Sequence, residues 1–196
     1  MATPLHSPLR RAVLADAPVL ATLVNYAGEG LPLYLWEKMA APGETAWEVG
    51  GKRAARDTGS FSYRNAIVVE HDGKCVGCLI GYEIPDNPPA IDPEMSAMFV
   101  PLQELENLAP ATWYVNVLAV VPDLRGKGFG SKLLRAADET GHALGKRGMS
   151  VVVSDANAGA RRLYERHGYR AAAERPMVKE GWKNDGRNWV LLTKGL

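Results

Sequence analysis

The sequence lacks the features that mark membrane proteins and nucleic-acid-binding proteins. No apolar run approaches the roughly 20 residues that a membrane-spanning helix needs. Lysines and arginines number 23 against 22 aspartates and glutamates, for a formal net charge of +1. Such a chain has no overall field that would attract nucleic acid or a membrane surface. We therefore expect neither nucleic acid nor a membrane as a partner.

The composition is that of an ordinary globular protein, with 46% apolar and 23% charged residues among 196. This length suits a single domain over residues 1–196 that can bury a core without disulfide cross-links. Arg10 and Arg11 precede an apolar segment, as in a signal peptide, but Asp16 and Pro18 interrupt that segment. This pattern does not fit a secretory signal, so we expect a cytoplasmic protein.

The only two cysteines, Cys75 and Cys78, form a C-x-x-C pattern, which can be a redox pair or half of a zinc site. Here Asp72-Gly73 predicts a hairpin turn between the strands Ala66–His71 and Lys74–Glu83. Residues three apart in a regular strand point to opposite faces. A redox C-x-x-C normally begins a helix, and the sequence offers no second pair of zinc ligands. We therefore expect structural cysteines, with neither a disulfide nor a bound metal.

A glycine-rich stretch, Arg125-Gly126-Lys127-Gly128-Phe129-Gly130, lies between the apolar run Trp113–Val121 and an amphipathic run that begins near Gly130. This order predicts a strand, a tight turn and a helix. Alternate glycines let the backbone approach a bulky group and present its N–H groups. The positive end of the helix dipole points at the same place.

The charged residues around this stretch are cationic. No acidic residue occurs between Asp123 and Asp138, and the interval holds four cations: Arg125, Lys127, Lys132 and Arg135. Backbone donors, a helix N-terminus and local positive charge together predict a phosphate or pyrophosphate ligand.

Two common phosphate-binding patterns do not fit this loop. A P-loop needs G-x-x-x-x-G-K-[ST], whereas the order here is Gly130-Ser131-Lys132. A dinucleotide fingerprint needs a third glycine where Ser131 stands, and an acidic residue about 20 positions further on. That later region, Met149–Val153, is apolar. A nucleotide-binding module is therefore a disfavoured alternative.

Arg125-x-x-Gly128-x-Gly130 resembles the acyl-CoA pyrophosphate loop, [QR]-x-x-G-x-[GA], of the GCN5-related N-acetyltransferases (GNAT family). The preceding Leu118-Ala119-Val120-Val121-Pro122 resembles the strand that leads into that loop. The segment from Asn157 to Tyr169 resembles the second signature of the family, an asparagine, a helical tyrosine and a Gly-aromatic exit. The resemblance is carried by residues from about Trp113 to Arg170.

The resemblance implies an α/β fold with a mixed, centrally splayed β-sheet flanked by helices. It implies transfer of the acetyl group of acetyl-CoA to an amine, with a small molecule favoured over a protein as the acceptor, and no metal. A homodimer is left open. The alternative is a degenerate protein that binds acyl-CoA without turnover. The implied acetyl-CoA contacts are Leu118, Ala119, Val120, Arg125, Gly126, Lys127, Gly128, Phe129, Gly130, Ser131, Asn157, Ala160 and Tyr164.

Tyr164 is the candidate general acid that protonates the departing CoA thiolate. A thiol has a pKa near 8.5 and a phenol one near 10, so this proton transfer is nearly balanced. Asn157 resembles the residue that hydrogen-bonds the pantetheine arm, although an asparagine before a helix is also a typical N-cap. Both roles can hold together.

The general base is left open by the sequence. The strand before the loop contains no carboxylate, although some relatives place a glutamate there. Tyr114, Asn116 and Leu118 share one face of that strand by its period of two. A water held by Tyr114 or Asn116 is one alternative, and Glu83 at the end of the hairpin is another. Residues that either wall the acceptor site or only pack in the core are Glu29, Tyr34, Trp36, Glu37, Glu180 and Trp182.

Two further local expectations concern helices. Asp16 is expected to cap the first helix, with Pro18 in its first turn. The segment Pro85–Pro110 holds many prolines and reads as an insertion with one short helix, Leu102–Leu108. A long irregular segment inside a compact domain is usually functional.

Overall fold

The structure, a computed structural model, describes residues 5–196. The described chain contains six α-helices and seven β-strands. The helices are α1 (Ala17–Ala27), α2 (Leu31–Met39), α3 (Ala46–Ala54), α4 (Val100–Asn107), α5 (Phe129–Ala143) and α6 (Ala158–Arg166). The strands are β1 (Leu9–Arg11), β2 (Ala66–His71), β3 (Lys74–Glu83), β4 (Thr112–Val120), β5 (Gly148–Ser154), β6 (Arg170–Pro176) and β7 (Asn188–Gly195).

The strands form one mixed sheet in the order β1-β2-β3-β4-β5-β7-β6. Strands β1, β2 and β3 pair antiparallel, β4 and β5 pair parallel, and β5, β7 and β6 pair antiparallel. The predicted mixed α/β fold is therefore confirmed. The chain divides into two compact units, one with Tyr82–Asn116 and Ala137–Leu196, the other with the residues through Gly81 and Val117–Ala136. The single domain expected from the sequence stays a prediction.

In the unit that runs through Gly81, helices α1 and α3 pack in a core with β2 and β3. Its fully buried side chains include Leu20, Leu23, Val68 and Ile80. Helix α3 begins at a capping box, in which Glu48 N–H donates to Thr45 Oγ1 at 3.2 Å and Thr45 N–H donates to Glu48 Oε2 at 2.7 Å. These bonds satisfy donors that a helix start leaves without intrahelical acceptors.

Asp16 precedes α1, as expected, but its side chain makes no capping hydrogen bond. The carboxylate instead accepts from Arg10 Nη1 at 2.7 Å and from Val13 N–H at 2.8 Å. The capping role that the sequence predicts is therefore wrong for this side chain. The guanidinium of Arg10 competes successfully for the carboxylate and holds the pKa of Asp16 below its usual value.

The hairpin of β2 and β3 has the predicted strand boundaries, and Asp72 and Gly73 both have positive φ in its turn. The pairing shifts after Val69↔Gly77, so that Glu70 opposes Cys75 and Val76 is the extra residue of a β-bulge. A bulge reverses the facing of the residues beyond it.

The bulge corrects the expectation that the two thiols point to opposite faces. Cys78 is buried in the same core cluster against which Cys75 packs. Both are free thiols in the structure. Burial raises the pKa of Cys75 to about 11 and that of Cys78 further still. Both groups are therefore neutral thiols near pH 7, a form that neither attacks disulfides nor binds metals well.

In the other unit, β5, β7 and β6 form an antiparallel sheet, against which α4 packs. Arg175 Nε of β6 donates to Glu104 Oε2 of α4 at 2.6 Å. The predicted helix at Leu102–Leu108 therefore exists, shifted to Val100–Asn107. Among residues 5–196, no helix is both long and apolar enough to cross a bilayer.

Candidate active site

The glycine-rich loop has the open backbone that the sequence predicts. Gly126 has φ 78° and Gly128 has φ 86°, a left-handed conformation that costs other residues roughly 1–2 kcal/mol. A Cβ built on either glycine would meet no heavy atom within 4 Å. Protein atoms therefore leave the space beside these two backbone positions clear, as close approach of a ligand requires.

The loop continues directly into α5. The first hydrogen bond of this helix runs from Lys132 N–H to the Gly128 carbonyl, at 3.1 Å. The backbone N–H groups of Phe129 and Gly130 precede Lys132, the first intrahelical donor, and lie at the N-terminus of α5. The first turn contains no acidic residue, so the helix dipole there is not offset by a carboxylate.

Side chains of the loop divide between packing and solvent. Arg125 Nε donates to the Val120 carbonyl at 3.1 Å, and its guanidinium lies 5.9 Å from the centroid of the Tyr26 ring. Arg125 thereby ties the loop to the end of β4. Phe129 is buried beside His71, with ring centroids 5.3 Å apart. Lys127 is exposed, as is Arg125.

Strands β4 and β5 pair over only three residues, from Thr112↔Gly148 to Tyr114↔Ser150. Strand β4 nevertheless continues to Val120, and β5 continues to Ser154. The parallel pairing thus ends at the third residue of each strand, and the central splay implied by the resemblance stays a prediction. The predicted backbone contacts, Leu118, Ala119 and Val120, lie on β4 beyond the last pair.

Asn157 is the N-cap of α6, and its Oδ1 accepts from Ala160 N–H at 3.1 Å. Asn157 therefore has the N-cap role that the sequence predicts as one alternative. The only donor of the Asn157 side chain is its amide Nδ2, which is the group to test for a role toward a ligand.

Replacing Asn157 with aspartate separates the two roles. An aspartate caps a helix about as well as asparagine, so we expect the midpoint of thermal unfolding to stay within about 3 °C. If Nδ2 binds the pantetheine arm, the loss of this donor should weaken acetyl-CoA binding about tenfold, the usual worth of one hydrogen bond. Isothermal titration calorimetry measures this affinity. Asn157→Asp with the wild-type Kd would restrict Asn157 to capping.

Tyr164 lies on α6 with 4% of its surface exposed, and its ring packs edge-on against Tyr169 at 5.4 Å. Burial raises the pKa of Tyr164 well above that of a free phenol. The hydroxyl is therefore fully protonated near neutral pH, as a proton donor must be. The nearly balanced transfer expected from free-solution pKa values does not describe this buried phenol. The thiolate would enter the same dry surroundings, which raise thiol pKa values as well.

The candidates for the general base differ in their surroundings. Glu83 forms an ion pair with Lys146, at 2.6 Å, and its side chain is about half exposed. Asn116 is exposed, whereas Tyr114 is buried. Glu106 of α4 is not among the residues that the sequence predicts for the site, and its Oε2 accepts from Tyr82 O–H at 2.8 Å. The sequence signal that points to Glu106 is its place in the proline-rich segment 85–110, which is expected to be functional because it is long and irregular.

The tryptophans offered as walls of an acceptor site are core residues. Trp36 is 3% exposed and stacks on Phe61, with centroids 6.0 Å apart. Trp182 is 5% exposed and stacks on Trp189 at 5.9 Å. Across the described part of the chain, no three His, Cys, Asp or Glu residues come together as metal ligands would.

Residues 33–169 match the model of the acetyltransferase (GNAT) family, and the chain therefore belongs to this family, whose enzymes use acetyl-CoA as co-substrate. The matched range includes both the loop and Tyr164. A search of curated proteins found no match to this sequence.

Solved structures share the fold at low sequence identity. A crystal structure described as an acetyltransferase is 24% identical, with a TM-score of 0.65 over 96% of this chain and 99% of that one. An N-acetyltransferase from Staphylococcus aureus Mu50 is 19% identical, with a TM-score of 0.64 over 95% and 99%. A GNAT family acetyltransferase from Elizabethkingia anophelis, with acetyl-CoA bound, is 15% identical, with a TM-score of 0.59 over 97% and 100%.

Proposed function

We propose that this protein transfers the acetyl group of acetyl-CoA to the nitrogen of an amine, and that the acceptor is a small molecule. The observation that carries the proposal is the family match, because it covers the glycine-rich loop and α6 together. Open space beside Gly126 and Gly128 fits a diphosphate held by backbone N–H groups. The acetyl-CoA in the Elizabethkingia anophelis relative supports the same ligand.

Each part of the chain has a distinct task in this proposal. Acetyl-CoA, when bound, supplies an acetyl thioester. The loop from Arg125 to Ser131 binds the diphosphate through its N–H groups, the dipole of α5 and the charge of Lys127. The backbone of Leu118–Val120 aligns the pantetheine arm. The Tyr164 hydroxyl donates the proton that the leaving sulfur needs.

A screen of wild-type protein tests the proposal directly. Acetyl-CoA should raise the unfolding temperature, and release of free thiol from it should depend on an added amine from a chemically diverse library. CoA should stabilise the protein as well, whereas ATP and NAD should not. Stabilisation by acetyl-CoA without thiol release for any amine would point to a binding protein. Stabilisation by ATP or NAD alone would contradict the acyl-CoA site.

A further inference from the structure

Glu106 lies on α4, within the proline-rich segment 85–110, and turns its carboxyl towards two tyrosines of the sheet. Tyr82 of β3 donates to Glu106 Oε2 at 2.8 Å. The Tyr114 hydroxyl of β4 also interacts with this carboxyl as a hydrogen-bond donor. The two tyrosine rings contact each other, with centroids 5.2 Å apart. The partly buried carboxylate of Glu106 thus accepts hydrogen bonds from two phenols on adjacent strands.

Tyr114 stands where β4 and β5 part. Tyr114 is the last residue of β4 that pairs with β5, and it lies opposite Ser150. Its hydroxyl oxygen accepts from the backbone N–H of Val152, two residues further along β5. The nearby phenol of Tyr164 contributes to raising the pKa of Tyr114. A phenol oxygen has one proton to give and two lone pairs to accept with. With its proton directed to Glu106 and one lone pair to Val152, the Tyr114 oxygen retains a second lone pair that can accept from a further donor.

We propose that Glu106 is the proton acceptor of the reaction and receives the proton of the acceptor ammonium through the Tyr114 hydroxyl. This inference rests on the proposed acetyl transfer. Strand β4 has no glutamate to act as the base, and in this proposal Glu106 of α4 supplies that carboxylate. The acceptor is then a basic amine that arrives in its cationic, ammonium form. Tyr114 is the group that touches the amine, and Glu106 acts through it.

The proton balance of the step is complete. One N–H bond of the ammonium breaks, its proton bonds to the Tyr114 oxygen, and the phenol proton of Tyr114 passes to Glu106. The neutral amine then attacks the thioester carbonyl, forming the C–N bond as the C–S bond breaks. The remaining surplus proton on nitrogen leaves to solvent, while Tyr164 protonates the sulfur and regains a proton from solvent. Glu106 releases its own proton to solvent before the next turnover.

The surroundings of Glu106 suit a proton acceptor. Burial raises the pKa of its carboxyl above the usual value, although the bonds from Tyr82 and Tyr114 oppose that shift. A raised carboxyl pKa narrows the gap to an amine, which makes proton transfer easier.

Replacing Glu106 with glutamine tests the proposal. The amide still accepts from the tyrosines but does not take up a proton, so kcat/KM for an alkylamine at pH 7 should fall roughly 10²–10⁴-fold. The deficit should shrink as the pH approaches the pKa of the amine, about 10.4 for a lysine-like group. It should be at most about tenfold with an arylamine, which is already neutral at pH 7. The acetyl-CoA Kd should not change.

Matched variants separate proton transfer from structural damage. Tyr114→Phe should reproduce the defect, and the double variant should be no worse than either single variant, as for residues that act as a unit. Glu104→Gln alters a carboxylate on the same helix and should leave kcat/KM within about threefold of wild type. Glu106→Gln with wild-type kcat/KM for the alkylamine, or with equal losses for both amine classes, overturns the proposal.

A titration decides the role of Glu106 even if no library amine is acetylated. The carboxyl carbon of Glu106, labelled with ¹³C and assigned by the Glu106→Gln spectrum of the full chain, should titrate above the ordinary value of about 4.3. Tyr114→Phe should raise this midpoint further, because one bond to the carboxylate is lost. A midpoint at the ordinary value, or one that Tyr114→Phe does not change, overturns the proposal. Failure of acetyl transfer in the wild type is a separate result that bears on the proposed function.

Discussion

Gly128→Glu is expected to raise the acetyl-CoA Kd at least about 100-fold, or about 2.8 kcal/mol at 1.4 kcal/mol per tenfold. Gly128 has φ 86°, so a side chain there strains the backbone that must present N–H groups to the diphosphate. Because a Cβ at this position meets no protein atom within 4 Å, the added bulk would lie in the space that the ligand needs. Its carboxylate would also repel the phosphates. Calorimetry on wild-type and variant protein measures the change.

Two further variants divide this effect into its parts. Gly128→Gln has nearly the same shape without the charge, so the difference between glutamate and glutamine is electrostatic and should shrink as salt is added. Gly145 follows the C-terminal end of α5, also has a positive φ of 65°, and also has open space at its Cβ. Gly145→Glu should therefore leave the Kd within about threefold of wild type. Wild-type affinity in Gly128→Glu would refute the assignment of the loop.

Local sequence patterns predicted the elements whose causes are local. The hairpin of β2 and β3 follows from Asp72-Gly73, because both turn residues need positive φ. The start of α5 follows from alternate glycines after an apolar strand, and the cap of α6 follows from Asn157 ahead of a helical pattern. In each case the physical cause lies within a few residues of its effect.

Features that depend on contacts between elements, rather than on the local sequence pattern, escaped prediction. Asp16 has the sequence context of an N-cap, yet Arg10 on a neighbouring strand takes its carboxylate. The bulge at Val76 depends on how β2 and β3 come into register, and it moves Cys75 to the face of Cys78. Glu106 is the same kind of case, because its phenol partner Tyr82 is 24 positions away. The sequence pattern of α4 does not indicate which strand residues will contact this helix.

Tyr164→Phe is expected to lower kcat roughly 10²–10⁴-fold, the usual worth of a positioned general acid or base. The acetyl-CoA KM should stay within a few-fold, because the hydroxyl acts mainly in the transition state. The phenylalanine keeps the ring that packs against Tyr169, so the fold should be retained. Because burial raises the pKa of Tyr164, this group should add no descending limb to the pH profile of the wild type below about pH 10. Steady-state kinetics with an amine from the library measure both constants.

Tyr169→Phe is the matched control, because it removes the hydroxyl group but keeps the ring that packs against Tyr164. The Tyr169 hydroxyl is buried, and the described residues offer it no hydrogen-bond partner. Removing an unsatisfied buried polar atom should leave stability unchanged or slightly higher, and kcat should stay within about threefold of wild type. A kcat that falls in Tyr164→Phe but not in Tyr169→Phe assigns the loss to one proton donor. Equal and small effects would remove Tyr164 from the chemistry and leave the sulfur to be protonated by water.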